Sequence, residues 1–363
     1  MSTCGRTMYS AYMEWVKTKS HVAFNLANSG VKNYPLSGLA VDFQSLTLSG
    51  PGAYGYGPLV AAIATKCGVD QDCIATAQGT SMANYFAMAA AIEPGDDVLV
   101  EHPAYPLLIE TAEYLGANVK PFDRPADARF AIDVDAIERS LTSKTRLIVI
   151  TNLHNPSCAY TSEHTLQRIG EIARSIGARV LVDEVYLDLL FEDAPDTAFK
   201  LGREFIITSG LTKVYGLAGL RCGWVLAEPD FVRRIYRISD LLYVNPPHVT
   251  EQLSCVALAQ LKHIAQWSRE LLGRNRALAN DFIAATPEVD CELLKAGTVL
   301  FPRIDFPVEE FCRSLRDEYD TVVTPGHFFG SPERIRIGIG GETSLLSEGL
   351  DRVHAALARM SRG

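Results

Sequence analysis

The chain has 363 residues, 47% of them hydrophobic and 21% charged, with a formal net charge of −9. That length supports two packed units, and the acidic balance, with no Lys/Arg cluster, excludes a nucleic-acid partner. No apolar run reaches the length of a membrane span, and residues 1–20 mix Arg6, Glu14, Lys17 and Lys19 with short apolar stretches, unlike a secretory signal, so a cytoplasmic location with no membrane partner is expected.

Residues 1–40 hold no strand partner within their own stretch and are expected to complete a smaller unit built mainly from residues 249–363. A larger unit spans residues 41–248. Within it, from about residue 70 to 230, short apolar runs alternate with helical patterns, which predicts a mostly parallel seven-stranded sheet with helices on both faces. The strands fall at 73–77, 97–101, 118–122, 146–151, 179–183, 205–209 and 222–227. Helices fall at 81–92, 106–115 and 162–176, the last capped by Thr161 or Ser162. Beyond Pro229, residues 231–242 and 249–285 read as long helices separated at Asn245-Pro246-Pro247, because proline cannot continue a helix. Strands at 299–304 and 334–339, with helices at 308–319 and 344–360, complete a smaller α/β unit.

The eight cysteines (Cys4, Cys67, Cys73, Cys158, Cys222, Cys255, Cys291 and Cys312) form no CxxC pair, and the eight histidines do not sit at ligand spacing with them. Reduced packing thiols and no metal site are expected.

In an open parallel sheet, ligands bind beyond the carboxyl ends of the strands. Five chemically pointed segments fall there: Gly79-Thr80-Ser81, Tyr105, Asn155, Asp183 with Tyr186, and Lys213. Each ends or follows its own apolar run, so one pocket gathers residues far apart in the chain. Lys213 follows the run at 205–209, and an amine held near Arg221 away from bulk water is a nucleophile toward an aldehyde. Asp183 ends Val180-Leu181-Val182, where a carboxylate is costly unless a cation pairs with it. A protonated pyridine nitrogen is such a cation. Gly79-Thr80-Ser81 opens a helix whose N–H groups and hydroxyls suit a phosphate, with Thr212 and Arg221 as further contacts.

The run from Thr212 through Lys213, Gly216, Gly219 and Arg221 to Gly223 resembles the Ser/Thr-Lys-x-x-Gly-x-x-Gly-x-Arg-x-Gly signature of class I/II pyridoxal-phosphate aminotransferases, of fold type I. Asn155-Pro156-Ser157 resembles that family's Asn-Pro-Thr-Gly turn, Asp183-Glu184-Val185-Tyr186 its Asp-Glu-x-Tyr strand end, and Gly79-Thr80-Ser81 its phosphate turn. Four motifs in order, from about residue 50 to 340, are far more specific than any one.

The resemblance implies pyridoxal 5'-phosphate as cofactor, held by Lys213 as a Schiff base, with Lys213 also shuttling the substrate proton. It implies Asp183 at the pyridine nitrogen, Asn155 and Tyr186 at the phenolic oxygen, and Tyr105 stacked on the ring. Arg336 would grip the substrate carboxylate, with Gly30 and Asn155 as further substrate contacts. Arg334 is a rival on the same face of that strand. Tyr54 or Tyr56 would reach the phosphate of a neighbouring subunit, which implies a homodimer with shared sites. Glu184 and His154 receive no role. Cys158 stands where the turn has glycine, and Gly210 stands where relatives often carry a phosphate-binding hydroxyl, with Ser209 or Thr208 as substitutes.

The segment Asp240 to Pro247 resembles the Arg-x-x-Tyr-Ser-Asn-Pro-Pro stretch of aspartate aminotransferases, whose arginine binds the substrate's side-chain carboxylate in the partner's site. Asp240 at that position disfavours a dicarboxylate donor and raises arginine, ornithine or lysine-like donors, with pairing to Arg237 as the local alternative. The leading expectation is an aminotransferase acting on amino acids and 2-oxo acids. A lyase on the same fold and a non-catalytic cofactor-binding sensor are the alternatives.

Overall fold

Strands buried on both faces read as continuous apolar runs, because helices cover both sides of the sheet they join. The computed structural model describes residues 7–361; Cys4 and Arg6 lie outside them. Its main sheet has seven strands: β1 (Ile74–Gln78), β2 (Asp97–His102), β3 (Asn118–Asp123), β4 (Thr145–Thr151), β5 (Arg179–Asp183), β6 (Phe205–Gly210) and β7 (Cys222–Leu226). The spatial order is β1-β7-β6-β5-β4-β2-β3. Only β7 runs against its neighbours β1 and β6. Side chains alternate between two buried layers: Leu147, Val149, Leu181 and Ile206 on one face, Ile148, Ile150, Val180 and Ile207 on the other.

The helices Gly79–Ala91, Pro106–Tyr114 and Glu163–Ser175 lie within two residues of their expected bounds. Ser162 caps the last of these through Thr165 N. Thr161 instead turns inward, donating its backbone N–H to Asn152 Oδ1.

The expected helix at 249–285 is two helices, His248–Ala259 and Leu261–Ala285. They break at Gln260, whose side chain accepts from Ala40 N and donates to Val256 O. A contact to a segment 220 residues away is a signal that local periodicity does not carry. The helix expected to reach residue 242 ends as Pro229–Ser239. The strand at 299–304 is split into Val299–Leu300 and Arg303–Ile304, because Pro302 between them has no N–H for a ladder. Helices Ala11–Lys19, Gly57–Cys67 and Val134–Ser140 were not expected.

The second layer of structure joins both ends of the chain. Phe24–Asn25 pairs in parallel with Thr321–Val322, and Gly338 N donates to Leu26 O at 2.6 Å. Val299–Leu300 and Thr324–Pro325 flank Ile335–Gly338 in an antiparallel sheet. Leu26, Phe311, Ile335, Ile337 and Val353 form its core. This pairing carries residues 27–31 across to the carboxyl edge of the main sheet, where Val31 N donates to Lys213 O at 2.8 Å.

Among the described residues, no helix is long and apolar enough to cross a membrane, seven cysteines are free, and no group of three His, Cys, Asp or Glu is placed to hold a metal.

Candidate active site

Because β1, β4, β5 and β6 end at one edge and β7 begins there, Gly79, Thr151, Asp183, Gly210 and Arg221 meet at that edge. One pocket there is lined by Thr80, Ser81, Asn84, Tyr105, Thr151, Asn155, Asp183, Val185, Tyr186, Thr212, Lys213 and Arg221. It therefore gathers nine of the cofactor residues expected from the sequence.

Asp183, the last residue of β5, is buried. Its Oδ2 accepts from Asn84 Nδ2 at 2.8 Å and its Oδ1 from Val185 N at 3.1 Å. Burial pushes its carboxyl up to about 6, against the pull of those two donors and of Lys213. Burial brings the Lys213 ammonium down to about 8, aided by Arg336 and Arg221 and opposed by Asp183. Lys213 Nζ donates to Ser29 Oγ at 2.9 Å. A buried carboxylate and a buried amine, each displaced toward its neutral form, share one cavity.

The helix Gly79–Ala91 has no side-chain cap, so its first N–H groups stay available to an anion. Arg221, in the left-handed conformation at φ 48°, lays its guanidinium over that terminus. Gly79 itself has φ 79°, a left-handed conformation that favours glycine, and Arg221 Nη2 lies where a Cβ would stand. The hydroxyls of Thr80, Thr151 and Thr212 are buried without a hydrogen-bond partner. Three unsatisfied hydroxyls in one cavity mark it as built for a polar ligand. An anion site, a buried carboxylate suited to a cation and a near-neutral amine together fit pyridoxal phosphate.

Gly210 cannot carry the hydroxyl that relatives place there, since a Cβ would meet Cys222 O at 2.6 Å and Thr80 Oγ1 at 2.8 Å. Thr80 already fills the space. Neither Thr208 nor Ser209 substitutes: their hydroxyls donate to Asn84 Oδ1 and Glu184 O. The turn at Asn155 survives the loss of its glycine, with Cys158 itself left-handed at φ 61°. Room for that side chain comes from Gly297, where a Cβ would lie 2.3 Å from Cys158 Sγ. His154 and Glu184 point elsewhere, to Pro103 O and Ala198 N.

Arg336 is fully buried. Its Nη1 donates to Asn155 Oδ1 at 3.0 Å, and its Nη2 to Tyr12 OH and Ala27 O, each at 3.0 Å. Its Nε has no partner, and among the described residues no carboxylate pairs with it. Arg334 is committed elsewhere, donating to Phe301 O and stacking on Phe130. Gly30 lies against the Lys213 side chain, where a Cβ would come 3.3 Å from Cδ.

Tyr54, Tyr56 and Asp240 take no part in the site of their own chain, whereas Gly30, Gly79 and Arg336 border its pocket through Lys213, Arg221 and Asn155. Tyr54 is half exposed and donates to Asp240 Oδ2 at 2.8 Å. Arg237 also bonds Tyr54 and lies 3.7 Å from Asp240, so Asp240 has its positive partner on its own helix. Tyr56 packs edge-on against His248. Sequence reasoning missed Asn84, Thr151 and Val185 in the pocket lining, and Ser29 and Tyr12 beside it. Asn84 was readable, four residues after Thr80 on one helix face. Ser29 and Tyr12 arrive through tertiary pairing and left no local signal.

The aminotransferase class I and II family model matches residues 25–353. A capreomycidine synthase of Streptomyces vinaceus is 29% identical, covering 96% of this chain and 94% of that one. An aspartate aminotransferase of Streptomyces avermitilis is 25% identical, covering 91% and 88%. The crystal structure of a PLP-dependent aminotransferase from Streptococcus suis superposes with a TM-score of 0.92 at 24% identity, covering 98% and 99%. With the family match spanning most of its length, the chain belongs to the class I and II aminotransferases, the transaminases whose cofactor is pyridoxal 5'-phosphate.

Proposed function

We propose that Lys213, Asp183 and Arg336 are the working residues of a transaminase whose amino donor is not a dicarboxylate. The observation that carries this reading is Arg336, a buried guanidinium without an anion, beside the near-neutral amine of Lys213. When bound, pyridoxal phosphate supplies an aldehyde for amine exchange and a ring that withdraws electrons from the substrate's Cα. Thr80, Ser81, Thr212 and Arg221 would hold its phosphate, Asp183 its ring nitrogen, Asn155 and Tyr186 its phenolic oxygen, and Tyr105 one ring face. Arg336 orients the substrate by its α-carboxylate, trading solvent for a charge-assisted pair. Lys213, neutral at Nζ above about pH 8, accepts the Cα proton and returns it. Walls formed by Tyr12, Tyr105 and Phe329 keep water from Arg336.

The donor reading rests on Asp240, which puts a carboxylate, held by Tyr54 and Arg237, where the similar segment of aspartate aminotransferases carries an arginine. That position offers no cation of its own to a substrate's side-chain carboxylate. Tyr54 or Tyr56 presented to a second copy of this chain makes a homodimer the working unit. The free thiols accord with a reducing, cytoplasmic setting. A synthase-type outcome from the same lysine is the second reading, favoured by the 29% identical capreomycidine synthase.

One experiment separates these readings. A panel of amino acids is mixed with the holoenzyme without acceptor, following cofactor absorbance and released 2-oxo acid. Conversion with stoichiometric 2-oxo acid supports transamination. Product formed with no 2-oxo acid supports the second reading, and preference for aspartate or glutamate overturns the donor assignment.

A further inference from the structure

Ser29 belongs to none of the motifs above, yet its hydroxyl stands between two of the site's working groups. It is buried, and its Oγ accepts from Lys213 Nζ at 2.9 Å and from Tyr186 OH at 2.8 Å. The backbone around it is pinned on every side. Thr298 Oγ1 donates to Ser29 O at 2.7 Å, Gly30 N donates to Asn28 Oδ1 at 3.1 Å, and Val31 N donates to Lys213 O at 2.8 Å. Gly30 also closes on the lysine stem. The segment therefore fixes a hydroxyl at one distance from an amine that would otherwise turn freely on four carbons.

We propose that Ser29 is the positioning residue for the free amine of Lys213, holding Nζ by one hydrogen bond and tying it to the Tyr186 hydroxyl. An amine nitrogen has one lone pair. Once one N–H is committed to Ser29, that lone pair is confined to directions away from Ser29, toward the cavity that Asp183, Asn155 and Tyr186 line. When Nζ takes a proton, the ammonium keeps the same acceptor, and Ser29 Oγ stabilises the charge it gains. No bond is made or broken at Ser29. The charges that face Nζ are Arg336, Asp183 and Arg221, and none of them hydrogen-bonds to it; its partner is Ser29 Oγ. The inference rests on the proton-transfer role of Lys213.

The test compares the parent with Ser29→Ala and Ser29→Thr in the full chain. In cofactor-free protein, the pH midpoint for labelling Lys213 with a small amine-reactive reagent is read by peptide mass spectrometry. The Ser29→Ala midpoint should fall by roughly one pH unit, because the ammonium loses an acceptor. In the holoenzyme, exchange of the substrate's Cα hydrogen with deuterated water should slow by about tenfold at unchanged substrate affinity. Ser29→Thr, which keeps the hydroxyl, should restore both. An unmoved midpoint in Ser29→Ala overturns the proposal, as does an equal fall in both variants. Lys213→Ala is the control: if it exchanges the Cα hydrogen as fast as the parent, the assignment of Lys213 itself fails, whatever Ser29 does.

Discussion

Two couplings of opposite charge lie at the same edge of the main sheet, and they are built in opposite ways. Glu101 on β2 meets Arg124 at 2.6 Å with both side chains fully enclosed. Every arm of that pair is used: Arg124 also donates to Phe130 O and Thr161 Oγ1, and Glu101 accepts from Thr151 N. Asp183 is buried and Lys213 partly so, facing each other by charge rather than by a direct ion pair, and the polar atoms around them are left over, at Thr80, Thr151, Thr212 and Arg336 Nε. Burial pushes Glu101 up and Arg124 down even with the partner in place, so desolvation opposes both pairs. What separates a structural pair from a working one is whether the surrounding hydrogen bonds are already closed.

That contrast can be broken by mutation. Lys213→Ala should cut turnover by a factor on the order of 10^4 to 10^6, and borohydride reduction should no longer fix cofactor to the chain. Label found on another lysine would end the assignment. Asp183→Asn should lower turnover by a factor on the order of 10^3 while retaining cofactor, because a neutral amide supports the ring's positive charge less well. Stopped-flow absorbance gives the half-reaction rate, and a near-parental rate would remove Asp183 from the mechanism.

The satisfied pair should respond in stability instead. Glu101→Gln keeps an acceptor for Thr151 N but leaves Arg124 without its anion, at a cost of about 3 kcal/mol or more. The melting temperature should drop by roughly 6 °C, and the folded fraction should turn over within about tenfold of the parent. A variant that melts normally but loses turnover would reverse the comparison.

The two pairs differ in pH response as well. A Lys213 amine lowered to about 8 gains base function as pH rises through that value, since the ammonium below it has no lone pair. Asp183, raised to about 6, loses its charge as pH falls through that value, so cofactor affinity should weaken on the acid side. For the fold without cofactor the signs run the other way. The penalty from Asp183 is full above about 6 and gone below the ordinary carboxyl value of 3.8, and that from Lys213 is full below about 8 and relieved near the ordinary amine value of 10.5. Cofactor should therefore raise the melting temperature at neutral pH, by roughly 5–10 °C. Smallest of all should be Asp240→Asn, shifting relative donor rates by a few-fold, roughly the worth of one exposed charge; an identical donor profile would detach Asp240 from specificity.

Legibility in the sequence followed the same division. All seven strands were readable within a residue or two; the inner ones are buried on both faces, leaving runs such as Val180-Leu181-Val182 unbroken, while the edge strand Asn118–Asp123 is largely exposed. Residues at strand ends inherited that clarity, so Asp183, Asn155 and Lys213 could be placed on one edge. The smaller layer was not readable in the same way: Val299–Leu300, Thr321–Val322 and Thr324–Pro325 are two residues long and owe their shape to partners far along the chain. Ser29 and Tyr12 ride on that layer, which is why they went unseen. Helix Ala11–Lys19 buries only Tyr12 among its nine residues, too little for a periodic stripe.

The contact between Cys158 and Gly297 has a consequence for how this sequence can drift. A side chain at one position occupies the volume that the other leaves empty. Gly297→Ala alone would drive a methyl into the thiol, and at φ 107° the backbone would resist it as well. Cys158→Gly alone would relieve the left-handed turn and open a small void beside Val299 O, which the thiol now contacts. The path between the two arrangements thus runs in one order, the cysteine shrinking before the glycine grows. Descendants of this chain that carry a larger residue at 297 should carry glycine at 158.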